Sequence, residues 1–174
     1  MIKMHKKRWF WRAGAWSALA VGCHAAAVAS PDAGAWLARV SYVVDGDSLW
    51  VRDEATQTRI KLRLEGVDAP EICQTGGKQA RSALQALVLA QRVRVEVHAH
   101  DQWGRAVARV QRVDGGQDVA VQMVRSGWAW ADRWRRHGAL AQVQEEARRG
   151  ARGVFAQPDA EYPADFRRRH GPCV

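Results

Sequence analysis

The clearest alternation in the chain runs from Thr58 to Leu64, where Ile60, Leu62 and Leu64 point one way and Arg59, Lys61 and Arg63 the other. Such a period of two predicts a half-buried strand, with Arg63 on the face away from the core. Two strands are expected before it. Trp36 to Val44 is rich in β-prone residues and ends at an Asp45-Gly46 turn. Ser48 to Arg52 follows, with Leu49 and Val51 on one face, and Asp53 and Glu54 close it. After Gly76-Gly77 the period changes: Ala80, Ala83, Leu84, Leu87 and Val88 recur at helical spacing and predict a core-facing helix. Val93, Val95 and Val97 then alternate with Arg92, Arg94 and Glu96, a fourth strand. Ala106 to Val113 is the fifth, ended by Asp114-Gly115-Gly116. Asp118 can cap a short helix that stops at Gly127, and Leu140, Val143 and Ala147 form the stripe of a last helix, Ala139 to Arg149. The stretch from Gln157 holds three of the five prolines and is expected to be irregular. There is no internal repeat.

Five short strands, one helix between the third and fourth and two more at the end predict an α+β, mainly β protein. The order suits a five-stranded OB-fold barrel with about three packed helices. A length of 174 residues fits one such domain. The expected organisation is a leader over residues 1–29, the barrel domain over 30–156 and a tail over 157–174.

Composition alters this picture mainly at the N-terminus. The formal charge is +9, but Lys3, Lys6, Lys7, Arg8 and Arg12 all precede the first acidic residue, Asp32. Without those five, 22 basic residues face 18 acidic ones, a net +4 that permits a polyanionic partner without identifying one. The basic start leads into an apolar, Ala-rich run from Ala13 to Val28 and then Ala27-Val28-Ala29, which reads as an export signal cleaved after Ala29. Ser17, Cys23 and His24 interrupt the run, which speaks against a permanent span. A lipid anchor at Cys23, in LAVGC, is the weaker alternative. The expected location is therefore periplasmic or secreted. Cleavage would leave Cys73 and Cys173, an even pair that suggests a disulfide in an oxidising compartment, with two free thiols as the other possibility.

Chemistry concentrates in KLRLEGVDAPE, residues 61–71, where a strand end and a Pro-containing turn carry Arg63, Asp68 and Glu71. DGDS adds Asp45 and Asp47, and DQWGR adds Arg105. Alone, DGDS is better read as a hairpin turn. With Asp68 as a third hard oxygen donor it becomes a candidate calcium site completed by a backbone carbonyl and water. No His or Cys lies in these motifs, which argues against zinc. Glu71, behind Pro70, is a candidate base for activating water, with an ordinary surface glutamate as the plain alternative. Arg63 and Arg105 can each fork phosphate oxygens. His98 and His100 share a strand face but have no third partner, so they are read as polar strand residues. Trp128 is assigned to the core, and Trp134, followed by Arg135 and Arg136, is the better candidate for contact with bases.

The ordered motifs V-DGDS, RLEGVDAPE and DQWGR resemble those of the staphylococcal nuclease family, over roughly Trp36 to Phe155 and including the GVF after the last helix. The resemblance implies an OB-fold nuclease that cleaves DNA and RNA with calcium and leaves 3′-phosphates. It implies direct calcium ligands in Asp47, Asp68 and the Ala69 carbonyl, with Asp45 close by. Glu71 would match the general base, and Arg63 and Arg105 the phosphate-binding arginines. Ala69 stands where a Thr is frequent and Trp103 where a Tyr is frequent. Base-stacking tyrosines have no clear counterpart near Trp130 to Arg135. The protein is expected to act as a monomer on DNA and/or RNA. The rival functions are a barrel that holds single-stranded nucleic acid without cutting it, and a protein-interaction domain outside the cytoplasm.

Overall fold

The computed structural model describes residues 34–133, 138–171 and 173. The expected leader with its cleavage after Ala29, the Cys23 alternative and the Trp134-Arg135-Arg136 contact lie outside the described residues. The strands are β1 (Ala35–Val43), β2 (Ser48–Asp53), β3 (Arg59–Leu64), β4 (Val67–Asp68), β5 (Arg92–His100), β6 (Ala106–Arg112) and β7 (Trp130–Ala131). The helices are α1 (Gly77–Val88), α2 (Val119–Arg125), α3 (Gly138–Arg149) and α4 (Pro163–His170).

The five long strands close into a barrel in the order β1-β2-β3-β6-β5. Every pairing is antiparallel except β3 with β6, which run parallel. The alternation read from the sequence is the pleat of this barrel. Leu49, Val51, Leu62, Leu64, Val93 and Val95 fill the interior with essentially no exposure. Helix α1 covers one side with Ala80, Leu84 and Val88 buried, at the spacing the sequence predicts. Asp118 caps α2 by accepting a hydrogen bond from the Val121 N–H, and Gly127 ends it at φ 76°. No described helix is long and apolar enough to cross a membrane.

Two features depart from the expectation. The first is a two-stranded ribbon in which Val67 pairs with Ala131 and Asp68 with Trp130. Strands of two residues carry no periodicity, so no pattern reveals them, yet this one fixes the backbone at Asp68. The second is the tail. In place of irregular chain from Gln157, residues 163–170 form α4. Its signals are local rather than periodic: Pro163 in the first turn supplies a preset φ, Asp165 lies near the positive N-terminus, and Arg167, Arg168, Arg169 and His170 lie at the negative C-terminus. Pro163 is its only buried residue, so an apolar stripe could not betray it. Polar ties hold it down instead: Arg133 Nη2 to Asp165 at 2.5 Å, Arg169 Nε to Glu161 at 2.9 Å, and the Cys73–Cys173 disulfide.

Candidate active site

The DGDS turn joins β1 to β2, and its geometry follows from short side chains bonding to nearby backbone. Asp45 Oδ1 accepts from the Asp47 N–H at 3.0 Å, and the Val44 N–H donates to the Ser48 carbonyl at 2.8 Å. The Leu64 N–H donates to the Asp47 carbonyl at 2.8 Å, which locks the turn to the end of β3. Gly46 is required here by packing. A Cβ on it would lie 2.7 Å from the Ala69 Cβ and 2.8 Å from the Ala80 Cβ.

Arg63 leaves β3 on the outer face, as its alternation predicts, opposite Ser48. Its guanidinium lies between two carboxylates: Nη1 donates to Asp47 Oδ1 at 3.0 Å and Nη2 to Asp68 Oδ1 at 2.8 Å. Asp47 and Asp68 are only 3% and 4% exposed. Charges so buried need partners, and each has several. Asp47 also accepts from the Ser48 hydroxyl at 2.9 Å and the Ala69 N–H at 3.0 Å. The surrounding acids, Asp47 first, hold Arg63 more firmly charged than an ordinary arginine.

Arg105 arrives from the loop between β5 and β6. Asp101 shapes that loop: Oδ1 accepts from the Trp103 and Arg105 N–H groups at 3.0 and 2.9 Å, and Oδ2 from Arg105 Nε at 2.6 Å. Burial works against the Asp101 charge, but these bonds hold its carboxyl below the usual range. Arg105 Nη1 reaches the Ser48 hydroxyl at 3.4 Å, and its guanidinium lies 5.1 Å from the centre of the exposed Trp103 ring.

Asp45, Asp47, Arg63, Ala69, Glu71 and Arg105 all line one open cleft of about 600 Å³. Asp68, the seventh residue singled out from the sequence, lies just behind that wall. Burial, with the neighbouring Asp47 charge, pushes the Asp45 carboxyl up to about 7. A cation would relieve that strain. Among the described residues no group of three or more His, Cys, Asp or Glu side chains is placed to hold a metal ion. The cleft presents an open wall of hard oxygen donors, the chemistry that suits calcium or magnesium rather than zinc. The donor types fit such an ion, while in the structure the Asp47 and Asp68 oxygens are engaged by Arg63 and Arg167.

The residue that sequence reasoning missed is Arg167, on α4. Its Nη1 donates to Glu71 Oε1 at 2.6 Å and to Asp68 Oδ1 at 3.1 Å, and its Nη2 to Asp68 Oδ2 at 3.0 Å. A buried Gln74 supports the same corner, accepting from the Glu71 N–H at 3.2 Å and donating to the Glu161 carbonyl at 2.7 Å. The signal that could have found Arg167 was the cysteine pair. Cys73 is two residues past Glu71 and Cys173 six past Arg167, with Cα atoms 5.8 Å apart in the bond. Trp130 is buried edge-on against Phe155 and Tyr162, and Trp128 packs on the core as expected. His98 pairs with Glu65 at 2.5 Å and Glu96 at 3.2 Å, as a polar strand residue.

Comparison with known proteins agrees with this construction. Residues 61–157 match the family model described as staphylococcal nuclease homologue. The chain is 35% identical over 136 residues to a micrococcal nuclease of Shigella flexneri, which covers 72% of this chain and 77% of that protein. It is 33% identical over 132 residues to an uncharacterized endonuclease of Escherichia coli O157:H7, covering 75% and 84% respectively. A third relative, Protein ParB of Escherichia coli, is 33% identical over 153 residues, covering 81% and 84%. With a barrel of the right order, the motifs gathered on one cleft and relatives matched over most of their length, this chain belongs to the staphylococcal nuclease family and is a nuclease hydrolase.

Proposed function

We propose that the protein is an exported, calcium-dependent nuclease that hydrolyses DNA and/or RNA with low sequence specificity and leaves 3′-phosphates. The observation that carries this reading is the convergence of Arg63 and Arg105 with Asp45, Asp47, Ala69 and Glu71 on a single cleft. Calcium, held by Asp45, Asp47, Asp68 and the Ala69 carbonyl, would supply Lewis-acid neutralisation of the phosphate. Arg63 is held in place by Asp47, Asp68 and the Val67 carbonyl, which leaves its Nε–H and one Nη1 hydrogen free to meet phosphate. Arg105, braced by Asp101, brings a second permanent charge to the same phosphate. Glu71 takes a proton from water as the water oxygen bonds to phosphorus. The bond from phosphorus to the 5′ oxygen breaks, that oxygen picks up a proton from solvent, and the phosphate stays on the 3′ side. These side chains meet phosphate rather than base edges, in keeping with low sequence specificity.

Export is supported by the leader pattern at the N-terminus and by the Cys73–Cys173 bond, which belongs to an oxidising compartment. The test is digestion of plasmid DNA and of RNA with calcium and with chelator, followed by end-group analysis. Calcium-dependent cleavage to 3′-phosphates is expected. Substrate left intact in both conditions, but bound, would overturn the reading in favour of a barrel that only holds the strand.

A further inference from the structure

The outer face of β1-β2-β3, beside the cleft, carries two cross-strand rows. In one, Arg39 pairs with Arg52 and Arg52 with Arg59; in the other, Tyr42 pairs with Trp50 and Trp50 with Lys61. Lys61 is itself part of the cleft wall, two residues before Arg63 on the same face of β3. Arg59, Lys61 and Arg63 thus form a line of cations about 13 Å long that ends at the proposed reaction centre.

Two of these cations bond to backbone carbonyls, and Arg39 also acts on the Glu54 carboxylate from beyond ion-pair distance. Arg39 Nη1 donates to the Ala90 carbonyl at 2.8 Å and Arg52 Nη1 to the Gln57 carbonyl at 3.1 Å. Among the described residues none of Arg39, Arg52, Arg59 and Lys61 forms an ion pair with a carboxylate. The aromatic faces are built in alongside. The Arg59 guanidinium lies over the Trp50 ring, 5.2 Å from its centre, and the Arg81 guanidinium over the ring of Tyr42, 46% exposed, at 5.3 Å, its Nη2 donating to the hydroxyl at 2.9 Å. A base stacks on either ring by displacing that guanidinium toward phosphate. Interleaved arginines and aromatic faces are what a single strand uses: phosphates follow the cations while unstacked bases lie on the rings. A duplex, with its bases stacked inside, offers nothing to Trp50 or Tyr42.

We propose that this face is a track for single-stranded nucleic acid flanking the phosphate in the cleft, with Arg39, Arg52, Arg59 and Lys61 on phosphates and Trp50 and Tyr42 under bases. This deepens the nuclease reading and rests on it for its biological sense, but it is testable without cleavage. Binding of a labelled thymidine 12-mer is followed by anisotropy in chelator, over a range of salt, for the wild type, Arg52→Gln/Arg59→Gln and Trp50→Ala. The double variant should bind about tenfold more weakly, and the slope of log K against log salt should fall by about 1.4 for two lost phosphate contacts. Trp50→Ala should also weaken binding about tenfold but keep the wild-type slope. With calcium, the 12-mer to thymidine dinucleotide ratio of kcat/KM should fall about tenfold in the double variant, because the dinucleotide does not reach the track. Unchanged 12-mer affinity and slope, or an unchanged ratio, overturns the track. Tight 12-mer binding with no cleavage of either substrate would instead remove the nuclease reading and leave the track standing.

Discussion

The disulfide is the most consequential bond in the chain to remove, and its effect can be worked out beforehand. Cys73 and Cys173 close a loop of 100 residues. In the chain-entropy model a loop of that length restricts the unfolded state by about 4.7 kcal/mol at 25 °C. That is a large part of the 5–15 kcal/mol typical of a domain. The full amount should not be lost, because α4 buries only Pro163 and can leave the barrel without opening the core. Freed of its tether, α4 gains entropy in the native state as well, which offsets part of the loss. Cys73→Ser/Cys173→Ser is therefore expected to cost about 2–4 kcal/mol. At 2–4 °C per kcal/mol this lowers Tm by roughly 5–15 °C. Guanidinium unfolding followed by tryptophan fluorescence, and calorimetry, measure the loss; hydrogen exchange locates it. The amides of α4 should exchange early while β5 and β6 stay protected to the global limit. Coincident unfolding curves, or an α4 protected as well as β5, would refute the reasoning and transfer the work of holding the tail to its ion pairs.

Other substitutions probe the site itself. Arg63→Ala should lower kcat/KM by about a hundred- to thousandfold, as loss of one charged donor to a developing phosphate charge does; near-normal kinetics would count against the mechanism. Gly46→Ala forces a methyl to within 3 Å of the Ala69 and Ala80 Cβ atoms. Overpacking of this kind costs about 1–3 kcal/mol, and here activity should suffer more than Tm because the displaced turn carries Asp45 and Asp47. His98 tests pH dependence. Hydrogen bonds from the His98 ring to Glu96 and then Glu65 raise its pKa above the usual value. A raised folded-state value means the stabilisation is complete below the unfolded pKa and disappears as pH rises through the folded one. The Tm difference between wild type and His98→Gln should thus be greatest in mild acid and vanish in alkali, by a small amount because the ring is exposed. A difference that grows with pH would contradict the assignment.

The barrel was legible because its order is local. β3 and β5 announce themselves by alternation, and the Ile60-Leu62-Leu64 face leaves Arg63 no direction but outward. Chemistry at turns was legible for a similar reason: Asp45, Asp47, Asp68 and Glu71 sit beside strand ends, so their meeting needs only that neighbouring strands pair. What could not be read was held by contacts without a pattern. The β4-β7 ribbon joins residues more than sixty apart through two pairs. Helix α4 has charge instead of an apolar stripe, so its place depends on what it bonds to.

Arg167 shows what that limit does to a mechanistic reading. The residues singled out from the motifs are four carboxylates, Asp45, Asp47, Asp68 and Glu71, against two arginines. The fold brings a third arginine from 96 residues further along the chain and sets it on the very carboxylate assigned to the base. Glu71 is then no isolated group at a turn. Its N–H is received by Gln74, Gln74 holds the tail at Glu161, and the tail returns Arg167 to its carboxylate, so its position is shared between the turn and α4. A guanidinium at 2.6 Å orients the Glu71 carboxylate but also occupies the oxygen that would otherwise be open to water. The two effects act in opposite directions on rate, and they separate by substitution: Arg167→Gln keeps a hydrogen-bond donor near Glu71 while removing the charge. Orientation is expected to dominate, so Arg167→Gln should retain more activity than Arg167→Ala in initial-rate assays; an Arg167→Ala variant faster than the wild type would show instead that the contact restrains Glu71.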